Sequence, residues 1–127
     1  VDAVRTLRVG PALDPTTVVG PLVERAGGKL LGALTTLAEG EEWLIEPRAL
    51  DATGALWSPG VRRGVVAGSA FHLTEYFGPV LGLLRARDLD EALDLQNATA
   101  FGLTAGLHSL DADEVAYWLD HVEAGNL

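Results

Sequence analysis

The chain has 127 residues, 48% of them hydrophobic and 21% charged, with a formal net charge of −9. That length can bury a core of its own, and the usage excludes wholesale disorder. The acidic balance, with nine basic residues spread along the chain, excludes nucleic acid as a partner, because a phosphate backbone is held by clustered cations. Nothing approaches the ~18 consecutive apolar residues of a membrane span, so no membrane partner is expected. Zero cysteines exclude disulfides and thiolate metal sites and fit a cytoplasmic location. Methionine is also absent and the chain opens at Val1, so an internal piece of a larger protein is expected.

In chain order, Thr6-Leu7-Arg8-Val9 alternates as a short strand, closed by Gly10-Pro11. Leu22, Ala26, Leu30, Ala33, Leu34 and Leu37 recur at helical spacing, with Gly27-Gly28 weakening the start of that helix. Trp43-Leu44-Ile45 reads as a strand before Pro47, and Arg62 to Ala67 as an extended segment within a turn-rich middle. Val80-Leu81-Gly82-Leu83-Leu84 is a continuous apolar run, the pattern of a strand buried on both faces. Asp88 with Glu91, and Asp111 with Glu114, are capping arrangements that open two helices. The first presents Leu89, Ala92, Leu93 and Gln96 on one face, the second Val115, Trp118, Leu119 and Val122. Leu103 to Ser109 is strand-like between them, and Ala124 to Leu127 begins a further strand. Strand, helix, strand, helix, strand predicts an α/β fold with a parallel βαβαβ sheet, as one domain over 1–127.

Residue chemistry alone is sparse. The three histidines, His72, His108 and His121, lack the i, i+4 spacing of a helical metal site, and no carboxylate supplies a third ligand. A structural role is the simpler reading of His121, and also of His72 despite its place before Glu75. No G-x-S-x-G elbow, phosphate loop or G-x-G-x-x-G is present. These residues describe an acidic α/β domain and no more.

Glu75-Tyr76-Phe77-Gly78-Pro79-Val80 resembles the E-x-F-G-P-V motif of the NAD(P)-dependent aldehyde dehydrogenase superfamily. Further segments are similar to that family in the same order: Leu7 to Gly10, Val19-Gly20-Pro21-Leu22, Ala100 to Leu107, and Val122 to Asn126. Trp57-Ser58-Pro59-Gly60-Val61 and Ser69 to Glu75 resemble the branch that oxidises L-glutamate 5-semialdehyde, the 1-pyrroline-5-carboxylate dehydrogenases. Thr74, Tyr76 and Arg63 depart from the usual family residues, so contacts around the motif differ in detail.

The resemblance implies a partial aldehyde dehydrogenase catalytic domain. Glu75 would hold the ribose hydroxyls of the nicotinamide half of NAD (or NADP), and Phe77 would pack near the nicotinamide ring. A carboxylate accepts from both vicinal hydroxyls, and an aromatic wall restricts the ring and sheds water. The family reaction is thiolate attack on a small-molecule aldehyde, hydride transfer to NAD and thioester hydrolysis, giving glutamate in proline catabolism for this branch. The chain holds no cysteine, so no catalytic residue is assigned within it and the isolated chain is expected to be inactive, with no cofactor bound. Self-association into a homo-oligomer is expected, because early segments would expose apolar surface. The competing class is a non-catalytic aldehyde dehydrogenase-like domain with an assembly role. An unrelated flavodoxin-like or receiver-like domain would need a phosphate loop or a strand-end acidic cluster, and neither is found.

Overall fold

Residues 1–127 are all described in the computed structural model, and by packing they divide into two units, Val1–Val65 with Tyr76–Leu83 and Val66–Glu75 with Leu84–Leu127. The first carries a three-stranded mixed sheet of β1 (Glu42–Ile45), β2 (Gly60–Arg63) and β3 (Val80–Leu83), in that order. β1 lies antiparallel to β2, with Trp43 opposite Arg62 and a bulge between Trp43 and Ile45. β2 and β3 are parallel, with Val61 opposite Leu81. Three of the four strand-like segments expected in this unit are present, the second shifted to 60–63. It stops there because Gly64 takes φ +80°, a left-handed turn no ladder continues through.

Two expectations in this unit are corrected. Thr6–Val9 is not a strand: α1 (Asp2–Arg5) ends there, with the Thr6 hydroxyl donating to the Ala3 carbonyl, and only Val9 forms a parallel bridge, to Val19. The helix expected from Leu22 is α2, Gly28–Thr35. Leu22 and Ala26 donate their N–H groups to the Ala55 and Gly54 carbonyls instead of to the preceding turn, and Gly28 sits at φ +51°. The loop at Asp51 to Trp57 thus captures the backbone that the periodicity assigned to a helix.

Ala26, Leu34 and Trp57 form the core, flanked by Leu22, Leu30 and Val80. Burying a Leu of this kind stabilises by roughly 1.5–3 kcal/mol. β3 differs from the both-faces-buried expectation. It is an edge strand of the three, with Leu81 and Leu83 exposed and only Val80 turned to the core. Strand alternation sends Arg62 and Arg63 to opposite faces. Arg63 meets Glu42 at the surface, whereas Arg62 is buried and pairs with buried Glu41 at 2.7 Å. Arg62 also donates to the Ala33 carbonyl, one of the last-turn carbonyls of α2, and lies 4.6 Å over the Trp43 ring.

In the second unit, α3 (Leu89–Asn97) and α4 (Ala112–His121) begin at the expected caps. Asp88 accepts from the Glu91 N–H at 2.9 Å, and Glu91 accepts from the backbone N–H and guanidinium of Arg87. Those Arg87 donors, the backbone one first, hold Glu91 below the ordinary carboxyl range. Asp111 accepts from the Asp113 and Glu114 N–H groups, while Glu114 turns to the Ser109 hydroxyl. The predicted faces meet: Leu93 and Trp118 are buried, and the Trp118 indole donates to Gln96 at 2.9 Å. Leu119 is the exception, half-exposed on the outer side. The Asn97 amide bridges the His121 carbonyl and the Glu123 N–H, which fixes the exit from α4. Leu103–Ser109 is reduced from a strand to one parallel bridge, Thr104 to Asn126, flanked by the Ala105 N–H to Asn126 carbonyl bond. The α/β class and the parallel crossover around α4 are therefore both present, in abbreviated form.

Candidate functional site

The E-x-F-G-P-V segment is built from two ends. Its first residues close the 66–75 segment of the second unit. There the chain folds on itself: the Ser69 N–H donates to the Val66 carbonyl and the Leu73 N–H to the Ser69 carbonyl. His72 receives the Gly68 N–H on Nδ1 at 3.0 Å and contacts the Leu95 carbonyl through Nε2 at 2.7 Å. His72 is therefore a structural residue, with both nitrogens occupied. Glu75 follows, exposed, its carboxylate without a hydrogen-bond or ion-pair partner in the protein.

Phe77 belongs to the first unit. It is the only non-glycine residue with positive φ, at +51°, and it is 76% exposed. An L-residue there costs on the order of 1–3 kcal/mol, which the surroundings must hold in place. Those surroundings are α2. The Lys29 ammonium stands 5.8 Å from the ring centroid, and Leu30 packs so closely on Gly78 that a Cβ there would fall 2.3 Å from its methyl. The Pro79 carbonyl then accepts the Gly60 N–H at 2.8 Å and the chain enters β3. A strained aromatic that keeps its ring in solvent is held for something other than its own core.

Glu75 thus leaves its acceptor oxygens to solvent, and Phe77 is exposed in its own unit; no group of three or more His, Asp or Glu suits a metal. His121 donates from Nδ1 to the Tyr117 carbonyl and stacks on the Tyr117 ring at 4.0 Å, and His108 lies exposed in the 107–110 loop, so neither joins the site. Lys29 and Leu30, which support Phe77 and Gly78, were missed by sequence reasoning. The one available signal was that Lys29 is the sole lysine, which says nothing about position.

No helix of the chain is long and apolar enough to cross a membrane. Among curated proteins, a succinate-semialdehyde dehydrogenase [NADP(+)] of Mycobacterium avium is 34% identical over all of this chain and 27% of its own length. An N-succinylglutamate 5-semialdehyde dehydrogenase of Vibrio cholerae is 39% identical over 98% of the chain and 26% of its own. The chain thus spans about a quarter of the curated relatives it matches. Among solved structures, proline utilization A (PutA) from Corynebacterium freiburgense superposes with a TM-score of 0.96 and 52% identity, covering 98% of this chain and 13% of that one. An NADP-dependent glyceraldehyde-3-phosphate dehydrogenase from Bacillus halodurans, complexed with NADP, gives 0.79 and 27% over 98% of this chain and 26% of its own. The aldehyde dehydrogenase family model matches residues 1–127, and with these relatives it establishes that the chain belongs to the aldehyde dehydrogenase family.

Proposed function

We propose that this chain is part of the catalytic domain of a cytoplasmic, NAD-dependent aldehyde dehydrogenase that oxidises L-glutamate 5-semialdehyde, the open form of 1-pyrroline-5-carboxylate, to glutamate in proline catabolism. The observation that carries the substrate is the 52% identity to proline utilization A, against 34–40% for relatives named for other semialdehydes. The Trp57 to Val61 and Ser69 to Glu75 segments support the same branch.

NAD, when bound, supplies the hydride acceptor. Glu75 accepts hydrogen bonds from its ribose hydroxyls, a charge-assisted grip that fixes the orientation of the ring. Phe77 gives the ring an apolar wall, and its left-handed backbone keeps that wall turned to solvent in the free chain. The thiol nucleophile comes from outside residues 1–127, which hold no cysteine.

The test uses the full-length protein that carries this sequence. NADH formation should show a higher kcat/KM for glutamate semialdehyde than for succinate semialdehyde or N-succinylglutamate 5-semialdehyde; the reverse order would overturn the substrate. Glu75→Gln should raise the KM for NAD by about 10–100-fold, the range of one lost hydrogen bond to a charged group. The 127-residue chain by itself should form no NADH from 1-pyrroline-5-carboxylate.

Leu13, Val18 and Val23 stand almost wholly or largely exposed in the first unit, which carries the expectation of self-association. Light scattering of the isolated chain should report a dimer or larger species. A monodisperse monomer at high concentration would remove that part of the reading.

A further inference from the structure

We infer that His72 is a positioning residue for Glu75, acting by pinning the 66–75 segment to the C-terminal turn of α3; the inference rests on the cofactor role proposed above for Glu75. The Gly68 N–H donates to Nδ1 at 3.0 Å, so Nδ1 is the bare nitrogen. Nε2 therefore carries the hydrogen and donates to the Leu95 carbonyl at 2.7 Å. That carbonyl lies in the last turn of α3, where no helical N–H remains to satisfy it. One imidazole thus closes the loop on one side and caps the helix on the other, and the two bonds require the Nε2–H tautomer.

Within the segment, the Ser69 N–H donates to the Val66 carbonyl, the Leu73 N–H to the Ser69 carbonyl and the His72 N–H to the Ser69 hydroxyl. His72 also lines two cavities, one of about 300 Å³ reaching Leu84, Phe101 and Ala124, and one of about 670 Å³ reaching Ala67, Asp90 and Asp94. Bonded to Gly68 on one side and to Leu95 on the other, the ring is a strut between the segment and α3. Glu75 follows within ~10 Å of extended chain, so a shift at position 72 reaches its carboxylate.

Three variants divide the strut. His72→Leu removes both bonds, His72→Asn keeps an acceptor near the Nδ1 position, and His72→Gln keeps a donor near the Nε2 position. In the full-length protein, His72→Leu should raise the KM for NAD about tenfold while kcat stays within about twofold, with Asn and Gln between it and wild type. Adding His72→Leu to Glu75→Gln should raise that KM no further, since both act through one carboxylate. In the 127-residue chain, imidazole ¹⁵N shifts should report the Nε2–H tautomer, and Gly68 amide exchange should quicken in His72→Asn less than in His72→Gln. If His72→Leu does not fold, the ordering of the Asn and Gln variants carries the test. A His72 series that lowers thermal stability but leaves the KM unmoved, while Glu75→Gln raises it, would overturn the positioning role and leave the cofactor role standing. A Glu75→Gln variant with the wild-type KM would overturn both.

Discussion

Replacing Arg62 with Ala should lower the stability of the chain by about 3–5 kcal/mol, the cost of leaving one member of a buried ion pair alone. Against a typical total of ~5–15 kcal/mol, that is enough to populate unfolded chain at 37 °C. The argument runs through the partners. Glu41 is as buried as Arg62 and would keep only the Ala38 N–H, at 3.0 Å, to offset its charge. The Ala33 carbonyl would lose its donor at the end of α2, and the Trp43 ring would lose the guanidinium that covers it. Replacing both charges with apolar residues of similar size, Arg62→Met with Glu41→Leu, should recover most of the loss. Urea midpoints of the two single variants and the double variant form the measurement. If the double variant loses as much as the singles combined, the pair is not what holds this region. The consequence reaches the candidate site within the first unit, because the helix anchored through Ala33 is the one whose Lys29 and Leu30 support Phe77 and Gly78.

What the sequence made legible follows the range of the interactions. Asp88 and Asp111 opened their helices as expected because a cap is settled within four residues. The faces carrying Leu93 and Trp118 met because helical periodicity places them together. Failures came where a distant backbone competed for the same groups. Leu22 and Ala26 kept helical spacing yet gave their N–H groups to residues 54 and 55, a pairing no local pattern encodes. Leu81 and Leu83 were assigned a buried face from composition, but burial depends on which strands flank β3. Arg62 was the most hidden. It was read only as the start of an extended segment, and strand alternation plus a carboxylate 21 residues away made it interior.

For the site, the motif carried the residues and the structure supplied their circumstances. Nothing in a one-dimensional pattern says that Phe77 takes a left-handed backbone, since the glycine beside it is the obvious bearer of that role. Gly78 serves close approach instead, with Leu30 in the space a side chain would need. His72 was singled out by its nearness to Glu75, while its commitment to Gly68 and Leu95 depends on α3 lying beside the segment. Resemblance names residues; packing decides what each can do.

Gly64→Ala should be the most damaging glycine substitution in the first unit, at about 3 kcal/mol from combined backbone strain and overpacking. At φ +80° an added Cβ meets left-handed strain, and it would also lie 2.2 Å from the Gly40 carbonyl oxygen and 3.2 Å from the Glu41 Cα. Those neighbours are backbone, so neither can rotate away. Gly32 makes the control: it lies inside α2 with nothing within 4 Å, so Gly32→Ala should stabilise by roughly 0.5–1 kcal/mol. Opposite shifts in thermal midpoint are the expected result, and equal small shifts would mean that the 40–64 approach has slack. The damage from Gly64→Ala should also depend on Arg62. Pushing the Glu41 backbone aside draws its carboxylate off the guanidinium, so part of the cost is the loss of the ion pair itself. In the Arg62→Met, Glu41→Leu background that part is already gone, and the same substitution should cost measurably less than in the native chain. Additive costs would show that the turn and the buried pair fail independently.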